Sequence, residues 1–143
     1  MKAFRLVNCK YDPIAVGAHL ERASTHSNQK LCDGMYFATS REDALEFAKK
    51  DRGHSYTHLL TCELKDMQEG DFVDLVANPN QIVRQKRTGQ NSRDATKDFC
   101  RENTKKGVIW QSVSSESLSG WKEICLLPEH IQQAVVIKEV EAL

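Results

Sequence analysis

The segment GMYFATSREDALEFAKK, residues 34–50, constrains the fold most, because its periodicity changes from that of a strand to that of a helix. The apolar run GMYFAT predicts a short strand. Ser40, followed three residues later by Asp43, predicts the start of a helix, since a serine hydroxyl at this place accepts a hydrogen bond from the first turn. Lys49 and Lys50 suit the negative end of the helix dipole. The segment therefore predicts a strand that passes directly into one helix.

Strand-like alternation recurs along the chain, whereas helical periodicity is rare. Further predicted strands are AFRLV, SYTHLLTCEL, VIWQSV, WKEICLL and AVVIKEV, with FVDLV as a short strand or turn. SRDATKDFCRENTKK predicts a polar helix, a short helix could begin at Asp12 and Pro13, and SSESLSG predicts a loop. Strands outnumber helices, which predicts an α+β fold with an antiparallel or mixed sheet. A length of 143 residues fits one domain, residues 1–143.

Composition gives little sign of a charged or membrane partner. The 20 basic residues balance the 20 acidic ones, and only the segment 84–106 is locally basic. This segment is either a solvated helix face or a contact surface for an acidic macromolecule. No apolar run is long enough to span a bilayer, so we expect no membrane partner. The expected location is cytoplasmic, or the cytosol of a target cell if the domain belongs to a toxin or effector. The five cysteines contain no CxxC pair, which favours reduced, buried thiols over a disulfide scaffold or zinc site.

Two charged residues interrupt otherwise apolar strands. Alternation in KEICLL places Glu123 on the same face as Cys125 and Leu127, and Arg5 lies in the middle of AFRLV. A carboxylate on a sheet face is costly to desolvate unless it is paired or lines a cleft. A guanidinium there can hold phosphate or ribose oxygens. Each residue could instead be solvated on a half-exposed sheet.

Two aromatic residues could flank one pocket. Tyr36 and Phe37 point to opposite faces of their strand, so one is expected in the core and the other outside it. Phe47 lies on the apolar face of the following helix, where core packing would explain it. A ring from the strand and a ring from the helix could also enclose a flat heteroaromatic ligand.

These residues resemble those of a known family. GMYFATSREDALEFA is similar to a segment of the ADP-ribosyltransferase superfamily, especially its poly-ADP-ribose polymerase and diphtheria-toxin-like branch. FRLV resembles the first strand, which carries a histidine in that branch and an arginine in the clostridial and cholera-toxin-like branch. WKEICLLPEHIQQAVVIKEV resembles the end of the fold, where a catalytic glutamate opens a strand. The three segments occur in the family's order, while residues 65–117 are largely unaligned.

The resemblance implies an ADP-ribosyltransferase-like fold with a few short helices around an NAD cleft. Arg5 would hold NAD by its ribose or phosphate, and the backbone of Leu6 would meet the nicotinamide amide. Tyr36 and Phe47 would enclose the nicotinamide ring. These roles follow from matching positions in the family and not from the spacing of the residues.

Two further positions match the cofactor site of the arginine branch, whose second motif is Ser-Thr-Ser. Thr39 and Ser40 follow Ala38 at this place, so they are implied as cofactor-binding residues.

Glu123 would be the catalytic glutamate. Cleavage of the bond between nicotinamide and ribose develops positive charge on the ribose, and a carboxylate beside the sugar stabilises it. The resemblance thus implies an NAD-dependent ADP-ribosyltransferase that needs no metal and transfers ADP-ribose to a protein or nucleic acid. Trp121 stands where arginine-modifying members have Glu or Gln, which argues against arginine as the acceptor.

Two alternatives stay open from the sequence. GVIWQSV resembles a late strand of the RES-domain toxins, which degrade NAD, and Ser112 would match their functional serine, although their Gly-Gly-Arg-Trp motif is absent. The chain would then be an NAD glycohydrolase. Alternatively, Arg5 in place of the histidine that usually accompanies the tyrosine motif would fit a non-catalytic binding module of the same fold.

Overall fold

The computed structural model describes residues 1–10, 33–50, 55–114 and 117–143, with residues 112–114 and 117–120 described by their main chain alone. The helix expected near Asp12 and Pro13 lies outside these ranges. The described elements in chain order are β1 Lys2–Val7, β2 Met35–Ala38, α1 Arg41–Lys50, β3 His58–Leu64, β4 Phe72–Asp74, α2 Gln81–Gln85, α3 Ser92–Glu102, β5 Gly107–Ser114, β6 Ser117–Leu126, α4 Pro128–Ala134 and β7 Val135–Ala142.

The described strands form one seven-stranded sheet in the order β4-β5-β6-β2-β1-β3-β7. β4 and β5 are parallel, and every other neighbouring pair is antiparallel. The prediction of an α+β fold with a mixed sheet is therefore confirmed. None of the described helices is long and apolar enough to cross a lipid bilayer.

The sheet is nearly divided between β1 and β2. Their register is limited to Phe4 opposite Ala38, whereas β1 pairs with β3 along its whole length and β2 pairs with β6 along its whole length. Two half-sheets result within the described strands, one of β4, β5, β6 and β2, and the other of β1, β3 and β7. They part beyond the Phe4–Ala38 pair, so backbone groups of β2 are open there to side-chain partners.

Each face of the sheet carries its own apolar core. The largest core includes Phe37, Leu60, Ile124 and Ile137, together with Ile131 of α4. Phe37 is therefore the member of the Tyr36–Phe37 pair that lies in this core.

The opposite face carries two separate clusters. Ala44 of α1 packs with Phe4 and Leu59 in one of them. α2 and α3 cover the other through Ile82, Ala95 and Cys100, which pack against β4, β5 and β6. The polar helix predicted for SRDATKDFCRENTKK is confirmed as α3, which buries Ala95 and Cys100 and packs Phe99 partly buried against this cluster.

One segment differs from the sequence prediction, and two described helices have no counterpart in it. Most of the predicted loop SSESLSG continues the hairpin, since β5 extends to Ser114 and β6 begins at Ser117. PEHIQQ forms α4, which Pro128 begins, because proline at a first helical position loses no hydrogen bond. Residues 81–85 form α2, whose single buried residue Ile82 gives too little periodicity to predict a helix.

Two glycines allow β2 and β5 to approach β6 closely. A Cβ atom on Gly107 would lie 1.9 Å from the carbonyl oxygen of Cys125, and one on Gly34 would lie 2.2 Å from that of Leu126. Both positions exclude any side chain unless the strands move apart.

We predict that Gly107→Ala destabilises the protein by at least about 2 kcal/mol, because the added methyl group would separate β5 from β6. Gly70→Ala is the matched control, since a Cβ atom there meets nothing within 4 Å, and its effect should stay within about 0.5 kcal/mol. Urea unfolding measures both free energies. Equal stability of the two variants would contradict the close strand approach.

Candidate active site

Glu123 lies on the sheet face between the α1 cluster and the α2–α3 cluster. Directly opposite it are Ala38 on β2 and Trp110 on β5, and paired residues of antiparallel strands share a face. Ala38 packs with the α1 cluster, and Trp110 packs with the α2–α3 cluster. The sequence prediction that Glu123 shares a face with Cys125 and Leu127 is confirmed by this arrangement.

Burial raises the pKa of Glu123 from its ordinary 4.5 to about 7. The indole of Trp110 acts in the opposite direction and favours the ionised carboxylate. Its Nε1 atom is buried but reaches no normal hydrogen-bond geometry with a partner in the described part of the chain. No described basic group opposes the effect of burial, so the carboxyl group is half-protonated near neutral pH.

Aromatic contacts fix Phe47 at one side of Glu123. Its ring meets the ring of Trp121 edge to face at 5.5 Å and lies 6.2 Å from the ring of Tyr56. The ammonium of Lys50 lies 5.6 Å from the centre of the Trp121 ring. Phe47 is therefore held over Trp121, two residues before Glu123 on β6.

Tyr36 lies at the other side of Glu123. It is opposite Cys125 in the register of β2 and β6, and it packs half-buried against the α2–α3 cluster. Trp121 and Cys125 are about 13 Å apart along an extended strand. Tyr36 and Phe47 thus stand on one sheet face with Glu123 between them.

The structure brings Arg5 to a different place. Arg5 follows Phe4 on β1, so alternation turns it to the face opposite Glu123, and it is 3% exposed. Its Nη1 atom donates a hydrogen bond to the carbonyl oxygen of Tyr36 at 3.0 Å. The guanidinium therefore supports the backbone of β2 where the two half-sheets part.

Leu6, the neighbour of Arg5, has the opposite orientation. Its half-buried side chain packs with Phe4 and Leu45 in the α1 cluster, on the face that carries Glu123. Of the two residues that the resemblance assigns to β1, Leu6 alone shares that face.

Ser40 begins α1, as its spacing to Asp43 predicts. Its Oγ atom accepts a hydrogen bond from the Asp43 N–H at 3.1 Å. Thr39 is half-buried beside it. Ser112 lies in β5 opposite Trp121, and its side chain is outside what the structure describes.

Sequence reasoning missed both tryptophans as neighbours of Glu123. The hairpin of β5 and β6 places Trp110 opposite Glu123, and alternation places Trp121 on the same face. The sequence could have predicted these neighbours from the two strands that flank SSESLSG. If the two strands pair as a hairpin, VIW lies against WKE.

Comparisons of the chain with known proteins found no match. No protein-family model matches the chain, and neither a curated protein nor a solved structure is significantly similar to it. Among the described residues, no group of three or more His, Cys, Asp or Glu side chains could hold a metal ion.

We predict that Glu123→Gln removes a pH-dependent loss of stability. Because the pKa of Glu123 is raised in the folded protein, its contribution to the free energy of unfolding is fully present below pH 4.5. This contribution falls as the pH rises towards 7 and is lost above pH 7. The difference in unfolding free energy between wild type and variant should therefore change by at most about 3 kcal/mol between pH 4.5 and 8, in favour of the variant. Urea unfolding across this range measures it.

Glu139→Gln is the matched control for this experiment. Glu139 is an exposed carboxylate on β7, so its replacement should leave the pH dependence of the wild type unchanged. A pH-independent difference between wild type and Glu123→Gln would show that Glu123 is not desolvated in the folded protein.

Proposed function

We propose that this protein is an NAD-dependent ADP-ribosyltransferase of the ADP-ribosyltransferase-like fold, which cleaves the bond between nicotinamide and ribose and transfers ADP-ribose to a macromolecule. The observation that carries the proposal is the placement of Glu123 between Tyr36 and Phe47 on one sheet face. These are three of the residues that the family resemblance selects.

The surroundings of Glu123 suit a reaction that develops positive charge. Its carboxylate has no described cationic partner, so the ionised form would be stabilised by positive charge that appears on the ribose. The aromatic residues on either side offer apolar surface for the leaving nicotinamide ring. The same group could hydrogen-bond a ribose hydroxyl or help deprotonate the acceptor.

Arg5 would contribute to this function by positioning rather than by contact with the reacting bond. Its hydrogen bond to the Tyr36 carbonyl fixes the backbone that carries one wall of the proposed nicotinamide site. Direct contact of Arg5 with NAD stays a prediction from the resemblance.

We expect the purified protein to release nicotinamide from NAD, and Glu123→Gln to lower that rate at least about 100-fold, since the neutral amide cannot stabilise the ribosyl cation. Lys122→Gln is the matched control, because Lys122 is exposed and points to the other face of β6. Chromatography of nicotinamide from labelled NAD measures both rates. Equal rates in wild type and Glu123→Gln would refute the catalytic role.

The products separate the proposed activity from its alternatives. Label that reaches macromolecules of an added cell lysate supports transfer. Free ADP-ribose as the sole product, with or without lysate, would instead favour an NAD glycohydrolase. A folded wild type that releases no nicotinamide under either condition would favour a non-catalytic binding module.

We also expect nicotinamide release to increase with pH through a midpoint near 7. The ionised carboxylate is the active form, and burial raises the pKa of Glu123 to about 7. The pH profile of kcat/KM measures this group in the free protein. A rate that is constant between pH 5 and 8 would contradict the assignment of this group.

A further inference from the structure

A thiol and an imidazole meet at the end of β1, outside the candidate active site. Cys9 lies in the turn after β1 and is exposed, and its Sγ atom is 2.8 Å from Nδ1 of His58. His58 begins β3 and is opposite Val7 in the register of β1 and β3. The two side chains therefore come from separate elements that the sheet brings together.

Hydrogen bonds fix the turn that carries Cys9. The Asn8 side chain donates to the Ser55 carbonyl at 2.8 Å and accepts from the Lys10 N–H at 3.0 Å. The Cys9 N–H donates to Oγ1 of Thr57 at 2.9 Å. The thiol is thus held beside His58 by contacts on both sides of Cys9.

Thr57 contacts both members of the pair. Its hydroxyl donates to the Val7 carbonyl at 3.4 Å and accepts from the Cys9 N–H. Its oxygen is 2.9 Å from Nδ1 of His58. Nδ1 of His58 therefore lies within hydrogen-bond distance of both the Thr57 hydroxyl and the Cys9 sulfur. An imidazole nitrogen at this distance from a thiol can take its proton, which leaves the thiolate, the nucleophilic form of cysteine.

The other cysteines in the described ranges differ from Cys9. Cys62, Cys100 and Cys125 are fully buried, and burial raises the pKa of the Cys62 thiol to about 12. Cys9 is therefore the accessible thiol of this group, and the prediction that the cysteines are buried is wrong for it. Cys32 lies outside the described residues.

We infer that Cys9 and His58 form a reactive thiol–imidazole pair that exchanges with small disulfides. Cys9 gives its thiol proton to His58, the resulting thiolate attacks one sulfur of the disulfide, the Cys9–S bond forms, and the original S–S bond breaks. The second sulfur leaves as a thiolate and takes a proton from the His58 imidazolium or from water. The product is a mixed disulfide on Cys9, and the disulfide that enters is the oxidant.

The test is the rate at which the reduced full-length protein reacts with an aromatic disulfide whose released thiolate is coloured. We expect one fast thiol at pH 7, and peptide mapping by mass spectrometry should identify it as Cys9. Cys9→Ser should abolish the fast phase. His58→Gln should keep the thiol but slow its reaction about 10-fold or more, because an amide cannot take the thiol proton as the imidazole can.

Glu139→Gln is the control variant, because Glu139 is exposed on β7 opposite Thr61 and away from Cys9. It keeps both the thiol and the imidazole, so the fast phase should be retained within about 3-fold. The same chain unfolded in urea gives a reference rate per thiol that does not depend on folding of any variant. A native Cys9 rate no greater than this reference, or a His58→Gln rate equal to wild type, would overturn the inference.

Discussion

The antiparallel ladder through β5, β6 and β2 is the constraint on which the candidate active site depends. A shift of one residue in this register would replace Glu123 on its face by Lys122 or Ile124. Gly107 and Gly34 lie against the β6 backbone at Cys125 and Leu126, where no side chain fits. The two glycines sit on opposite sides of the same part of β6. They therefore allow both neighbouring strands to approach at the register that places Glu123 beside Ala38 and Trp110.

A buried charge lies where the half-sheets divide. If the β1–β2 ladder continued beyond Phe4 and Ala38, Leu6 would be opposite Tyr36. The Arg5 guanidinium instead donates to the Tyr36 carbonyl from a 3% exposed position. A buried guanidinium requires acceptors to offset its desolvation, and an edge carbonyl requires a donor. The contact gives the Arg5 guanidinium one acceptor and the Tyr36 carbonyl a donor, and it supports the backbone that carries an aromatic residue of the candidate site.

Local patterns predicted the parts of this protein that depend on neighbours in sequence. Alternation correctly separated Tyr36 from Phe37 and placed Glu123 with Cys125, and the spacing of Ser40 and Asp43 correctly began α1. These properties follow from two-residue and 3.6-residue periods.

Properties that depend on strand pairing were not predicted. Trp110 lies opposite Glu123 only through the register of a hairpin, and Arg5 is separated from Glu123 only because β1, β2 and β6 pair as they do. The contact of Cys9 with His58 likewise joins residues far apart in sequence. Such relationships are set by the whole sheet, whereas single-segment periodicity reports only which face a residue occupies.

Stability alone does not explain the choice of glutamate at position 123. Its ionised form is disfavoured by burial, and among the described residues no cation offsets this. The Trp110 indole N–H is also buried beside it without a normal hydrogen-bond partner in the described chain. An apolar residue at this position would avoid the cost of desolvating a carboxylate. Buried polar groups that destabilise the fold and lie close together are typical of functional sites. At such sites a bound ligand provides the partner that offsets the cost of burial. A cationic ribosyl group beside Glu123 would provide the charge that the described residues do not.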